Sequence, residues 1–169
     1  GNAPLDAQGN FYRDNLRGAL AKAEFVCDGE EHIHKPDHTF FGFRYVQLID
    51  WPCAIRLEDF EGVVICSDME ITSGFECSDE RVNQLFSNIQ WGQRGNFVDV
   101  PTDCPQRDER MGYTGDGHVF ALTGAYNFNT EEFWAKFLKD IRYSQEANKE
   151  GYVAPTVPAP PGAQGIGFM

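Results

Sequence analysis

From residue 78 onward apolar side chains recur at helical spacing. In SDERVNQLFSNIQWGQRGNF, Val82, Leu85, Phe86 and Ile89 fall at i, i+3, i+4 and i+7 and share one helix face. Ser78 is the expected N-cap, with Asp79 and Glu80 in the first turn, where the helix dipole favours anions. A second helix is expected to begin near Thr114 or Gly115 and run through DGHVFALTGAY. A third should start at Asn129, with Glu132 three residues on as capping-box partner and a stripe of Phe133, Trp134, Phe137, Leu138 and Ile141. Residues 20–76 have a different texture. AEFVC (23–27), HTFFGFRYVQLI (38–49), CAIRL (53–57), GVVIC (62–66) and SGFEC (73–77) are short β-branched and aromatic runs punctuated by Gly, Pro and Asp, which predicts antiparallel strands.

The last twenty residues, EGYVAPTVPAPPGAQGIGFM, hold four prolines and four glycines, which exclude regular structure. They read as a flexible linker, or as a loop whose contacts lie elsewhere in a longer protein. A strand-rich segment thus gives way, near residues 66–78, to the opening of a helical one, and three helices ending in a Pro-Gly tail make a poor closed core. The expectation is a chain spanning a domain junction.

Composition narrows the function. With 41% apolar residues, 14 Phe, 6 Tyr and 3 Trp among 169, the chain has material for a core. A formal charge of −12 argues against a nucleic-acid partner, because nothing neutralises a row of phosphates. It suits a neutral or cationic ligand. No apolar run reaches the length of a membrane span, and the first residues lack the basic start and apolar centre of a signal peptide. Cys27, Cys53, Cys66, Cys77 and Cys104 are widely spaced with no CxxC pair, so buried thiols are expected, with a lean towards a reducing compartment such as the cytoplasm.

The chemistry concentrates in PTDCPQRDERMGYTGD (101–116), which carries Asp103, Asp108, Glu109 and Asp116 within sixteen residues. Pro101 and Pro105 forbid a helix across 100–106, so Asp103 belongs to a loop between helices. Gly112 and Gly115 let the backbone turn between Glu109 and Asp116, so that both can line one hollow. An exposed network of these carboxylates with Arg107 and Arg110 is the plain alternative. Against it stand Trp91, Phe97, Tyr113 and Phe120, which crowd the segment. Aromatic faces with several carboxylates suit a sugar, since rings stack on C–H faces and carboxylates accept hydroxyl hydrogens. A carboxylic acid near apolar or like-charged groups is also held protonated, as general acid catalysis requires. Elsewhere, HIHKPDH sets His32 and His34 on one strand face with His38 beyond, but lacks firm ligand spacing and reads as a solvated loop. His118 is expected as a packed histidine at the helix start, with a substrate-lining role as the alternative. Cys104 has no histidine near it in sequence and reads as packing.

VPTDCPQRDERMGYTGD (100–116), preceded by NIQWGQRGNF (88–97), resembles the signature of bacterial α-L-rhamnosidases of glycoside hydrolase family 78, and the resemblance covers nearly the whole chain. FFGFRYVQL (40–48) is similar to the closing strands of that family's β-sandwich domain, and EEFWAKFLKDIRYSQ to the helix after its active-site loop. The resemblance implies an α+β fragment, with residues 1–66 ending a β-sandwich and 67–169 opening an (α/α)₆ barrel, a six-hairpin glycosidase. It implies removal of terminal α-L-rhamnose with inversion, Glu109 as general acid, Asp103 and Asp116 as ligands of the sugar hydroxyls, and Arg107 as a further polar contact. Tyr113 stands where the family often has Trp. No cofactor or metal is implied. The partners implied are rhamnose-containing glycosides or polysaccharides and the remainder of the catalytic domain. An inverting enzyme needs a second carboxylate about 6.5–9.5 Å away to activate water. In the family it is a Glu far downstream; Glu131, Glu132 and Glu146 do not match it, so no activity is expected of this chain alone. The alternative is a carbohydrate-binding relative that holds a sugar without cleaving it; retention of Glu109 weighs against it.

Overall fold

A computed structural model describes residues 4–147 and 151–159. Two compact units are present: Gly1–Val64 with Gln106–Asp108, and Ile65–Pro105 with Glu109–Met169. The second carries the helices: α1 (Glu80–Asn96), α2 (Thr114–Asn127) and α3 (Glu131–Ala147), with a hairpin of β1 (Phe97–Val98) and β2 (Val100–Pro101) between α1 and α2.

Helix α1 is capped one residue later than expected, by Asp79, whose Oδ1 accepts from the Arg81 N–H at 3.0 Å. The carboxylate wins over Ser78 because the Arg81 guanidinium also holds it, at 2.9 Å. The expected apolar face of α1 is not its buried one. Val82 and Leu85 are exposed, Phe86 meets Phe75 at a ring separation of 5.6 Å, and the buried residue is Gln93. Its Nε2 donates to the Gly124 carbonyl at 3.1 Å, and its Oε1 accepts from Asn127 Nδ2 at 3.2 Å. Periodicity finds a face by greasiness. Here the α1–α2 contact is made by an amide whose polar atoms are matched across the interface. Gln93→Leu should therefore lower unfolding free energy by about 1–3 kcal/mol, since it strands buried polar groups while keeping volume; urea unfolding of the second unit's helices, followed by hydrogen exchange, measures it.

The hairpin pairs Phe97 with Pro101 and Val98 with Val100, and turns at Asp99, which has φ +66°. That conformation is costly for a residue with a Cβ, and two side chains hold it. The Asp99 N–H donates to Ser67 Oγ at 3.0 Å, and Lys136 Nζ donates to its carboxylate at 2.7 Å and its carbonyl at 3.2 Å. Phe97, 3% exposed, stacks on Phe133 at 4.3 Å and meets Trp134 edge-on at 5.4 Å. Of the α3 stripe, Phe133 and Phe137 are buried and Trp134 and Ile141 partly so, while Leu138 turns outward. The helix starts at Glu131 rather than Asn129, with the Trp134 N–H bonded to the Thr130 carbonyl.

The core closes where the sequence reads as linker. Ala154 and Val157 pack with Phe137, flanked by Val100, Trp134 and Ile141. Residues 154–157 are thus a buried strap; residues 160–169 of the same tail lie outside the described residues.

In the first unit, short 3₁₀ turns occur at Asp14–Leu16 and Leu57–Asp59. The runs expected as strands over 20–76 form no ladder among the described residues, and Val26, Ile33 and Leu57 are almost fully exposed. A strand exists only through its partner, and the residues that favour strands here have no partner strand within the described chain. Cys27, Cys53, Cys66 and Cys77 are exposed rather than buried; Cys104 is buried, and no disulfide forms among the described residues. His32 pairs with Asp28 at 2.9 Å, and its ring lies 5.8 Å from that of His34, which meets Phe25 at 4.6 Å. No strand places the histidines on one face. No described helix is long and apolar enough to cross a membrane.

Candidate active site

The segment between the hairpin and α2 is an excursion pinched at its neck. Thr102 and Gly112 form an antiparallel bridge. The near side is fixed to the end of α1: the Thr102 N–H and Oγ1 both donate to the Asn96 carbonyl, at 2.9 and 3.0 Å. The far side is fixed by the strap. The Val157 N–H donates to the Gly112 carbonyl at 2.8 Å, Tyr113 bridges Thr156, and the Thr114 N–H and Oγ1 donate to the Pro155 and Ala154 carbonyls at 3.0 and 2.9 Å. Residue 112 must be glycine because a Cβ there would overlap the Val157 carbonyl oxygen and stand 3.0 Å from Phe137 and 3.1 Å from Val100. The close approach, rather than freedom to turn, explains it. Gly115 lies inside α2 with open space around it.

Between the pinned ends stand the carboxylates. Ligand atoms of Asp103, Cys104 and Glu109 all lie within 4.8 Å of one another. Cys104 is 4% exposed, in keeping with a packing role, while Asp103 and Glu109 are half-buried. Asp116 lies in the first turn of α2, exposed, where the helix dipole favours its charge. The group that registers their convergence is Tyr113. Burial pushes its phenol above the ordinary value near 10, and the negative charges of Asp103, Glu109 and Asp116 push it further, with a contribution from Cys104. The phenol therefore stays a hydrogen-bond donor throughout the neutral range. Asp103 and Glu109, both singled out in the sequence, are thus brought together, and their charges and that of Asp116 act on Tyr113.

The other expected members are placed as follows. Arg107 belongs with Gln106 and Asp108 to the first unit. There the Asp108 carboxylate lies so close to Gly18 that a Cβ on that glycine would be 2.5 Å from it. Of the aromatic wall, only Tyr113 meets the carboxylates in this way. Phe97 is core, Phe120 packs edge-on against it at 5.9 Å, and Trp91 is exposed with the Arg94 guanidinium 5.0 Å from its ring. Phe97 stacks on other rings, so its face is not offered to a sugar. His118, one turn into α2, is exposed rather than packed. What sequence reasoning missed is the strap. Its signal was Ala-Pro-Thr-Val: Pro155 and Pro158 drive the residues before them into extended backbone, which suits pairing with a neighbouring segment. Among the described residues, Asp103, Cys104 and Glu109 are the one set with the spacing to hold a metal ion, and such acidic groups are common without one.

Comparison with known proteins places this arrangement. Residues 70–167 match the model of the bacterial α-L-rhamnosidase six-hairpin glycosidase domain, and residues 3–66 that of the bacterial α-L-rhamnosidase concanavalin-like domain. An α-L-rhamnosidase of Formosa agariphila is 44% identical over 147 residues, 85% of this chain and 16% of its own length. One from Streptomyces avermitilis is 42% identical over 145 residues, 85% of this chain and 14% of its own. The chain therefore spans about a seventh of these relatives. Among solved structures, the S. avermitilis α-L-rhamnosidase complexed with L-rhamnose superposes with a TM-score of 0.84 at 40% identity, covering 94% of this chain and 15% of that one. The Aspergillus terreus enzyme gives 0.82 at 39%, covering 92% and 18%. The pinned loop, the helices that hold it and the concanavalin-like stretch before them belong to one lineage: this chain is a member of the bacterial α-L-rhamnosidase family.

Proposed function

We propose that the full-length protein is a glycoside hydrolase that removes terminal α-L-rhamnose with inversion, and that Glu109 is its general acid. The observation that carries the reading is the closeness of the Asp103 and Glu109 carboxylates, whose ligand atoms lie within 4.8 Å, in the pinned loop that leads into Tyr113 and Asp116. A neutral sugar offers hydroxyl hydrogens, and Asp103 and Asp116 accept them. Tyr113 offers an apolar face and a phenol O–H that stays protonated. Arg107 adds a further polar contact. Residues 1–66 then close a β-sandwich domain and 67–169 open an (α/α)₆ barrel.

In the reaction the Glu109 carboxyl proton passes to the glycosidic oxygen as the C1–O bond breaks, and the bonding electrons leave with that oxygen as the aglycone alcohol. Water attacks C1 from the opposite face and gives its proton to a second carboxylate, so the sugar is released as the β anomer. The chain spans about a seventh of its relatives' length, and on this reading the rest of the catalytic domain supplies that base. Substrates are rhamnose-terminated glycosides or polysaccharides. Proton NMR of an alkyl α-L-rhamnoside during the first minutes of hydrolysis tests the stereochemistry: β-L-rhamnose should appear first and mutarotate later. Initial release of the α anomer contradicts the inverting reading, and binding of rhamnose without cleavage would favour a carbohydrate-binding relative.

A further inference from the structure

The strap meets the acid loop at its exit. Ala154, Thr156 and Val157 are each no more than 5% exposed, although they lie in a Pro-rich stretch. Three successive residues of the exit, Gly112, Tyr113 and Thr114, each pair with it. Helix α2 has Tyr113 at its N-cap with no side-chain cap, so the orphan amide of Thr114 takes its acceptor from the strap, the Pro155 carbonyl. The Thr114 hydroxyl adds a second bond to the same strand, at Ala154. The residues flanking Thr114 lead directly to groups of the site: Tyr113 precedes it and Asp116 follows two residues after it. Glu109 stands three residues before Gly112, past Arg110, which holds a φ of +44° that is uncommon for a residue with a Cβ.

We infer that residues 154–157 are a positioning element of the active site, and that Thr114 is a positioning residue which, through its hydroxyl on the Ala154 carbonyl, fixes Glu109, Tyr113 and Asp116 relative to one another. The strap acts by clamping the backbone from which these side chains project. Fixing such groups matters because displacement by about 1 Å, even from a change remote from the chemistry, costs about a hundredfold in rate. The inference rests on the reading of Glu109 as the acid.

The test compares Thr114→Val, which keeps the shape and deletes the hydroxyl, with Thr114→Ser, which keeps the hydroxyl, in the full-length protein with methyl α-L-rhamnoside. Thr114→Ala reads the same bond if the valine variant does not fold. Expected for Val is a fall in kcat of about tenfold or more with KM little changed, recovery in Ser, and faster deuterium uptake in the peptide covering 110–116. Faster uptake with an unchanged kcat would overturn the positioning role and leave the strap as packing alone, as would equal losses in Val and Ser. A wild type that cleaves no rhamnoside would overturn the enzymatic reading, and the positioning role with it.

Discussion

Glu109→Gln in the full-length protein should lower kcat for alkyl α-L-rhamnosides by about 10²–10⁴-fold, the usual worth of a positioned general acid. An alkoxide is a poor leaving group, so the proton must arrive as the C1–O bond breaks, and glutamine has none to give. The exchange is nearly isosteric in a half-buried position. Fold and rhamnose affinity should therefore hold, and KM should change much less than kcat. It also removes one of the negative charges that raise the Tyr113 pKa. That phenol should titrate lower in the variant, a sign that the exchange took place beside it in an intact site.

Phe137→Ala should cost about 3–5 kcal/mol of stability. Phe137 is 2% exposed and sits beneath the site from several directions. It packs with Ala154 and Val157 of the strap, comes within 3.0 Å of where a Cβ on Gly112 would be, and within 3.6 Å of where one on Gly117 would be. The void would thus open under the exit of the acid loop and the first turns of α2 together. Leu138→Ala is the matched control. One residue further along the same helix it is exposed, and its change should fall within about 0.5 kcal/mol. Denaturant unfolding with hydrogen exchange read in α3 separates the two.

Much of the helical half was legible in the sequence, because helices are encoded locally. Period and capping residues located α2 and α3 to within about two residues, and two prolines marked the acid loop as irregular. Charge density picked out Asp103, Asp108, Glu109 and Asp116, the family resemblance set Asp108 aside, and the glycines pointed to a turn, though Gly112 serves a close approach instead. The non-local features were hidden. Gln93 is buried because Gly124 and Asn127, more than thirty residues on, supply its partners. The strap reads as linker because proline-rich composition describes what a segment cannot do by itself; Pro155 still has a carbonyl to offer, and Val157 an N–H. Runs such as AEFVC and GVVIC have strand-forming residues, yet a ladder depends on a partner that their own sequence does not name. Leu138 and Val82 show the same limit on helices, where a stripe read from period runs wider than the surface that covers it.

The most direct test of the central claim, that Glu109 delivers the proton to the departing oxygen, is the dependence of its removal on the leaving group. Wild type and Glu109→Gln are compared on methyl α-L-rhamnoside and on an activated aryl α-L-rhamnoside whose phenolate needs little protonation. The account predicts a loss of about 10²–10⁴-fold on the methyl glycoside and a far smaller one on the aryl glycoside. Equal losses on both, or full activity of the variant on the methyl glycoside, would contradict it.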